Sequence, residues 1–347
     1  MASRIHPCAC AGSSGAAPPR AVRFLFALGV LCAALSASAN SADLERAFAR
    51  AAKLPRLHAL IVARDGRTLR ERAFRGPGLE RPANVKSVSK TVISALVGAA
   101  IERGVLAGTD APVAGLLPAD LPRAPDPRLS KVTVGHLLSM QAGQERVTNR
   151  NYGRWVASPN WVRFSLASPF LEEPGGSMLY STGNSHLLSA ILTRAAGRDT
   201  HALARDWLAR PLGISIPPWD RDPQGIYFGG NNMAISPREL LAIGEMYRRG
   251  GLYEGRRVIS EDWIRRSWQP RTRSPYSGHA YGYGWFITEL DGAPAYYARG
   301  YGGQYLYVVP ERALTIVITS DPTLHSRVNG YAKALRSLAE ELAGAAG

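Results

Sequence analysis

Strand-like segments stand at both ends of this chain and helix-like ones fill its middle, and that order constrains the fold more than any other feature. "LHALIVARDGRTLRERAF" reads as two strands joined at Asp65-Gly66, a dipeptide suited to a tight hairpin turn. Strand character returns late, in "YGYGWFI", "AYYARG", "YLYVVP" and "ALTIVITS". Between them lie the helical runs "VTVGHLLSM", "NSHLLSAILTRAAG", "HALARDWLARPLG" and "SPRELLAIGEMYRRG", separated by loops rich in Pro, Gly and Trp. Segregated elements of this kind predict an α+β protein whose first and last thirds share one sheet. Residues 40–105 and 271–347 are expected to form the sheet domain, with helices over 42–53 and from about Arg327 to Leu342. Residues 106–270 are expected to form a mainly helical subdomain inserted into it, leaving a cleft between the two as the natural place for a site.

The second informative stretch is "VKSVSKTV", residues 85–92. The pattern predicts a helix from Ser87 to about Arg103, with Val88, Val92, Leu96 and Ala99 on its apolar face and Gly104 ending it. Ser87 and Lys90, three residues apart, would point the same way at the helix start. A serine hydroxyl holds its proton too tightly to attack a carbonyl unaided and needs a neighbouring base. Lysine can be that base when burial or nearby positive charge lowers its pKa. Lys90 is followed by the apolar "TVISALVGAA", and the partial positive charge of a helix N-terminus favours both a neutral amine and a developing oxyanion. Taken alone, the same residues also fit a helix-capping serine beside a solvated lysine.

The N-terminus reads as an export signal. Arg20 and Arg23 precede the apolar "FLFALGVLCAAL", and Ala37 and Ala39 supply a small-x-small cleavage site before Asn40. The apolar run is short for a membrane span. A cleaved signal peptide over residues 1–39 and a periplasmic or secreted product without a stable span are therefore expected. Cys8, Cys10 and Cys32 all fall in the leader, so the mature chain needs no disulfide, cysteine nucleophile or cysteine metal site. The leader also carries three arginines and no acid, and its removal takes the formal charge from +15 to +12. The basic surplus is scattered, with no block of five or six cations and no recognisable nucleic-acid-binding motif, so no nucleic-acid partner is expected. His186 and His201 make no zinc spacing with a nearby acid, and neither metal nor cofactor is expected.

Two further stretches accompany the Ser-x-x-Lys pair. "PGGSMLYSTGNSHLLSAIL" places Tyr180 just before a helix beginning near Asn184, and "YARGYGGQYLYVVPE" is a glycine-rich turn leading into an apolar strand. With these, and with "HLLSMQAG" and "ISPRELLAIGEMYRRGG", the chain from about residue 55 to 340 resembles the serine β-lactamase/penicillin-binding protein-like superfamily. It looks closest to the class C-related branch that includes esterases, D-amino-acid peptidases and 6-aminohexanoate-dimer hydrolases. The resemblance implies a transpeptidase-like antiparallel sheet flanked by helices. It implies Ser87 as the acylated nucleophile, Lys90 as its partner and Tyr180 as a proton relay, acting as phenolate or through a shared proton.

This chain departs from the family pattern at two places. Thr182 stands where a Tyr-x-Asn motif has asparagine, and Ala298-Arg299-Gly300 stands where relatives carry Lys-Thr-Gly or His-x-Gly. Strand alternation predicts that Arg299 points to the face opposite Ala298, which leaves no cation in the family's carboxylate-binding place. Gly300 is expected to let substrate approach the strand edge, and the backbone N–H groups of Ser87 and Tyr301 to form the oxyanion hole. Trp155 and Trp161 are candidates for a pocket wall or for ordinary loop packing. Asp321 and His325 read as a loop at a helix entry. The expected activity is hydrolysis of a small ester, amide or peptide through an acyl-enzyme. The alternatives are a β-lactamase or D,D-peptidase, and a non-hydrolytic binder or sensor of β-lactams or cell-wall peptides.

Overall fold

The computed structural model describes residues 41–324 and 330–346; the expected leader and His325 lie outside the described residues. The longer helices are α1 (41–51), α2 (Ser89–Glu102), α3 (Thr182–Ala196), α4 (Pro237–Arg248) and α5 (Tyr331–Ala345). The main sheet consists of β1 (Leu57–Arg64), β2 (Arg67–Ala73), β3 (Thr272–Arg273), β4 (Ala280–Tyr281), β5 (Phe286–Leu290), β6 (Ala293–Gly300), β7 (Gln304–Val309) and β8 (Leu314–Ser320). Its order is β2-β1-β8-β7-β6-β5-β4-β3, antiparallel throughout. The N-terminal hairpin joins the C-terminal strands where β1 pairs β8, with Ile61 opposite Val317, so the first and last thirds do share one sheet. Asp65 and Gly66 turn the hairpin with φ of 50° and 78°, the positive pair that such a turn requires.

The sheet is covered on both sides, and period-two alternation sorts its side chains. Leu60, Val62, Tyr305, Tyr307, Ile316 and Ile318 pack with Leu44 and Phe48 of α1 and Leu335, Leu338 and Leu342 of α5. Ile61, Leu306, Val308 and Val317 face the other way, into a core shared with α2, α3 and α4. Helix α4, inside the span expected to be the helical insertion, lies on the sheet itself. Gly244 permits this approach, because a Cβ there would sit 2.7 Å from Leu306 and from Thr315. The buried Glu245 beside it accepts hydrogen bonds from Thr315 Oγ1 at 2.6 Å and Arg248 Nη2 at 2.8 Å. Among the described residues, no helix is long and apolar enough to cross a membrane.

"YGYGWFI" is not one strand. It breaks between β4 and β5 because Gly282 packs where a Cβ would meet the Ser267 carbonyl oxygen at 2.1 Å, and Gly284 turns with φ of 80°. The loop anchors α2 instead: Thr91 Oγ1 donates to the Gly284 carbonyl at 2.7 Å and Ser94 Oγ to that of Tyr283 at 2.8 Å. Helix α2 is buried on nearly every side, and a Cβ on Gly98 would meet the Trp263 indole at 2.4 Å. Glycine to alanine in a helix ordinarily gains up to about 1 kcal/mol, whereas overpacking a rigid buried ring costs about 1–3 kcal/mol. The second term should win: Gly98→Ala is expected to lower stability by about 1–2 kcal/mol, read as a lower denaturant midpoint at unchanged m-value. A higher midpoint would show that Trp263 yields freely.

Candidate active site

Ser87 occupies a single 3-10 turn, Lys86–Val88, that runs directly into α2; the helix therefore begins two residues later than the sequence suggests. The turn is held by an uncommon backbone. Lys86 has φ of 51°, in the left-handed region that non-glycine residues rarely occupy. Its N–H donates to Asn84 Oδ1 at 2.9 Å, and its carbonyl accepts from Ser89 Oγ at 2.6 Å. Ser89 Oγ in turn accepts from the Met233 N–H at 3.2 Å. Strained backbone fixed on both sides in this way is common at reacting positions.

Lys90, one helical turn on, is 3% exposed. Its Nζ lies 2.9 Å from Ser87 Oγ, 3.3 Å from Thr182 Oγ1 and 2.6 Å from the Gly230 carbonyl oxygen. Burial alone pulls its pKa down to about 7, so a large neutral fraction exists at physiological pH. A neutral amine has two N–H donors and one lone pair. The Gly230 carbonyl can only accept and Thr182 is placed to accept, which leaves the lone pair for the Ser87 hydroxyl proton. Thr182, expected from its sequence position to face substrate, contacts Lys90 here.

Tyr180 precedes α3, which begins at Thr182; it stacks on Phe286 at a centroid distance of 6.2 Å and meets Tyr281 edge-on at 6.3 Å. Lys90 Nζ stands 5.2 Å from its ring centroid. Burial pushes the phenol up to about 12, against the opposing pull of a Ser87 hydrogen bond and of Arg299. Tyr180 is therefore a neutral phenol at ordinary pH, and of the two states considered for it the shared proton fits better than the phenolate. Ser87 and Tyr180 line a cleft of about 700 Å³ together with Thr182, Gly300 and Tyr301, and Lys90 is buried behind Ser87.

Gly300 lines the cleft and also has a packing reason that the sequence does not show. A Cβ there would lie 2.3 Å from the Val85 carbonyl oxygen, so glycine lets the end of β6 close onto the turn that carries Ser87. Ala298 packs into the core shared with the helices, while Tyr297 and Tyr305 lie in the core on the opposite face. Arg299 stands over Tyr305 at 6.0 Å, as alternation predicts, yet at the strand end it also lines the cleft and acts on Tyr180. Arg146, which stacks over Tyr276 at 5.5 Å, and Lys86 line the same cleft, and none of its described lining residues is acidic. Sequence reasoning does not find these cations as a group, because they lie far apart along the chain.

Other candidates fall outside the cleft. Trp155 and Trp161 are buried with centroids 5.0 Å apart and pack around His186. His201 Nε2 bonds the Ile216 carbonyl at 2.9 Å, and Asp321 accepts from the Thr323 N–H at 2.8 Å in a local turn. Among the described residues, no three His, Cys, Asp or Glu side chains gather closely enough to hold a metal ion.

Solved structures share this fold. EstCE1, a hydrolase with promiscuous acyltransferase activity, matches with TM-score 0.70 at 18% identity, over 88% of this chain and 100% of that one. A penicillin-binding protein homologue from Caulobacter crescentus matches with TM-score 0.70 at 20% identity, over 88% and 97%. A candidate 6-aminohexanoate-dimer hydrolase from Bacillus anthracis matches with TM-score 0.68 at 18% identity, over 83% and 79%. The Beta-lactamase family matches residues 47–338, most of the described structure, and the chain therefore belongs to that family and is a serine hydrolase.

Proposed function

We propose that this chain is an exported hydrolase that cuts a small ester or amide through an acyl-enzyme on Ser87. One observation carries the reading: a buried lysine amine 2.9 Å from Ser87 Oγ, with its other partners arranged to leave it a lone pair. Ser87 Oγ attacks the carbonyl carbon as its proton passes to Lys90. The N–H groups of Ser87 and Tyr301 hold the oxyanion, a contribution of about 3 kcal/mol per donor in comparable sites. Collapse of the tetrahedral intermediate expels the leaving group, which takes a proton from Tyr180, and Lys90 restores that proton to the phenol. Water then attacks the acyl-enzyme, giving a proton to the same pair and releasing the acid with Ser87 regenerated.

Ester and amide substrates are favoured by the likeness to EstCE1 and to the candidate aminohexanoate-dimer hydrolase. β-Lactamase or D,D-peptidase activity is less favoured, since Ala298 supplies no cation and Thr182 no amide. The cations Lys86, Arg146 and Arg299 favour a substrate with an anionic group away from the reacting carbonyl.

Three outcomes are expected with purified protein. Ser87→Ala abolishes hydrolysis of a short-chain p-nitrophenyl ester, and Lys90→Ala lowers kcat/KM by about 10²–10⁴-fold. Full activity in Ser87→Ala sinks the assignment, whereas a stable adduct without turnover, seen by intact mass, favours a binder or sensor. The pH profile should rise through about 7, because Lys90 must lose its proton to act as base, with no further limb from Tyr180 below pH 10. A flat profile across pH 6–8 removes Lys90 as the base. An ester ending in a carboxylate should exceed its methyl-ended counterpart in kcat/KM by about fivefold at low salt and lose that advantage at high salt. Equal values at both salt concentrations exclude the anionic preference.

A further inference from the structure

His186 and Asp222 are buried titratable groups that the proposed chemistry does not use. Both side chains are fully shielded from solvent, and Nε2 of His186 lies 3.0 Å from Asp222 Oδ2. The second oxygen of Asp222 accepts the N–H groups of Gln224 at 2.9 Å and Ile226 at 2.8 Å. On the other side of the imidazole, the Gly229 N–H points at Nδ1 across 3.4 Å. A backbone N–H can only donate, so Nδ1 must be bare and the ring proton sits on Nε2, donated to Asp222.

The next residue is Gly230, whose carbonyl receives Lys90. This strap lies flat on α3. A Cβ on Gly229 would sit 2.1 Å from the Ser185 carbonyl oxygen, and one on Gly230 would sit 2.7 Å from Ser185 Cβ and 3.2 Å from Lys90 Nζ. Ser189, one turn beyond His186 on the same helix, donates to the Tyr227 carbonyl at 2.7 Å. Thr182, Ser185, His186 and Ser189 thus form a polar row down one face of α3. It begins at the Lys90 amine and continues along the strap. The rings of Trp155, Trp161 and Phe228, with centroids 5.5 to 5.9 Å from that of His186, seal the pair from water.

We propose that His186 and Asp222 are positioning residues: through the Gly229 N–H they hold the Gly230 carbonyl against Lys90, and so aim the lysine lone pair at Ser87. The proposal rests on the reading of Lys90 as the base. It makes a specific claim about Asp222→Asn, which keeps size and shape. The asparagine oxygen is retained by the Gln224 and Ile226 N–H groups, which turns its NH₂ toward His186. The ring must then accept at Nε2 and carry its proton on Nδ1, donor against the Gly229 N–H. The strap is pushed away and Lys90 loses the acceptor that both orients it and favours its protonated form.

The expected result for Asp222→Asn is a kcat lower by about tenfold to a hundredfold with KM within about twofold. The acid limb of kcat/KM should move to lower pH, because loss of an acceptor disfavours the ammonium. The titratable neighbour facing Lys90 is Tyr180, whose own limb lies far above this window, and the one facing His186 is Asp222 itself. Asp222→Glu, which restores a carboxylate, should recover part of kcat. A wild-type kcat, or an acid limb that is unmoved or displaced upward, in Asp222→Asn protein with native circular dichroism overturns the proposal. Failure of the underlying reading shows up separately, as activity surviving in Ser87→Ala.

Discussion

Everything in the cleft depends on one amine being taken out of water without being allowed to charge freely. An isolated ammonium in such a place is expensive, and the cost is lowered either by a counter-ion or by loss of the proton. The hydrogen-bond partners of Lys90 described above are two hydroxyls and a carbonyl, all neutral. The neutral state is therefore the accessible one, and a neutral amine beside a serine is a base. The surrounding architecture supplies those neutral contacts from three places: the 3-10 turn that carries Ser87, the start of α3 and the strap at Gly230, while β6 closes onto the Ser87 turn through Gly300.

Much of this is legible in the sequence because it is written in side chains at short spacing. The hairpin at Asp65-Gly66, the apolar strands β7 and β8 and the Ser87–Lys90 pair each carry a local signature, and the structure brings Ser87 and Lys90 to 2.9 Å. Tyr180 becomes visible only beside that pair. What stays hidden is carried by the backbone or by distant residues. A carbonyl such as that of Gly230 has no letter of its own, and the left-handed turn at Lys86 is imposed by Asn84 and Ser89 rather than by glycine. At Gly300 the sequence points to the residue but not to its close neighbour, the Val85 carbonyl. "YGYGWFI" misleads because its composition suits a strand while two glycines bend it to serve α2. The polar row Thr182, Ser185, His186 and Ser189 does repeat at helical spacing inside an apolar helix, and a polar stripe on a buried helix is a signal that something buried needs partners.

The arrangement also separates tasks between the two halves of the molecule. The sheet side offers the strand end at Gly300 and Tyr301, together with Arg299. The helical side offers Tyr180, Thr182 and Arg146, while the serine and lysine sit between them. Changes at Arg146 or Arg299 can then alter which substrate fits while the buried contacts of Lys90 stay untouched, which is consistent with one scaffold serving many carbonyl compounds.

Burial of Lys90 has a thermodynamic consequence as well. In the unfolded chain this amine titrates near 10.5, and in the folded protein near 7. Between those values the unfolded state holds a proton that the folded state has released, so the contribution of this site to folding stability grows as pH rises across the window and is at its least favourable below it. Each pH unit within that window is worth about 1.4 kcal/mol, so the site withholds several kcal/mol at neutral pH relative to alkaline conditions. The remaining core must make good that deficit, so the reactivity proposed for Ser87 is set against the stability of the whole fold.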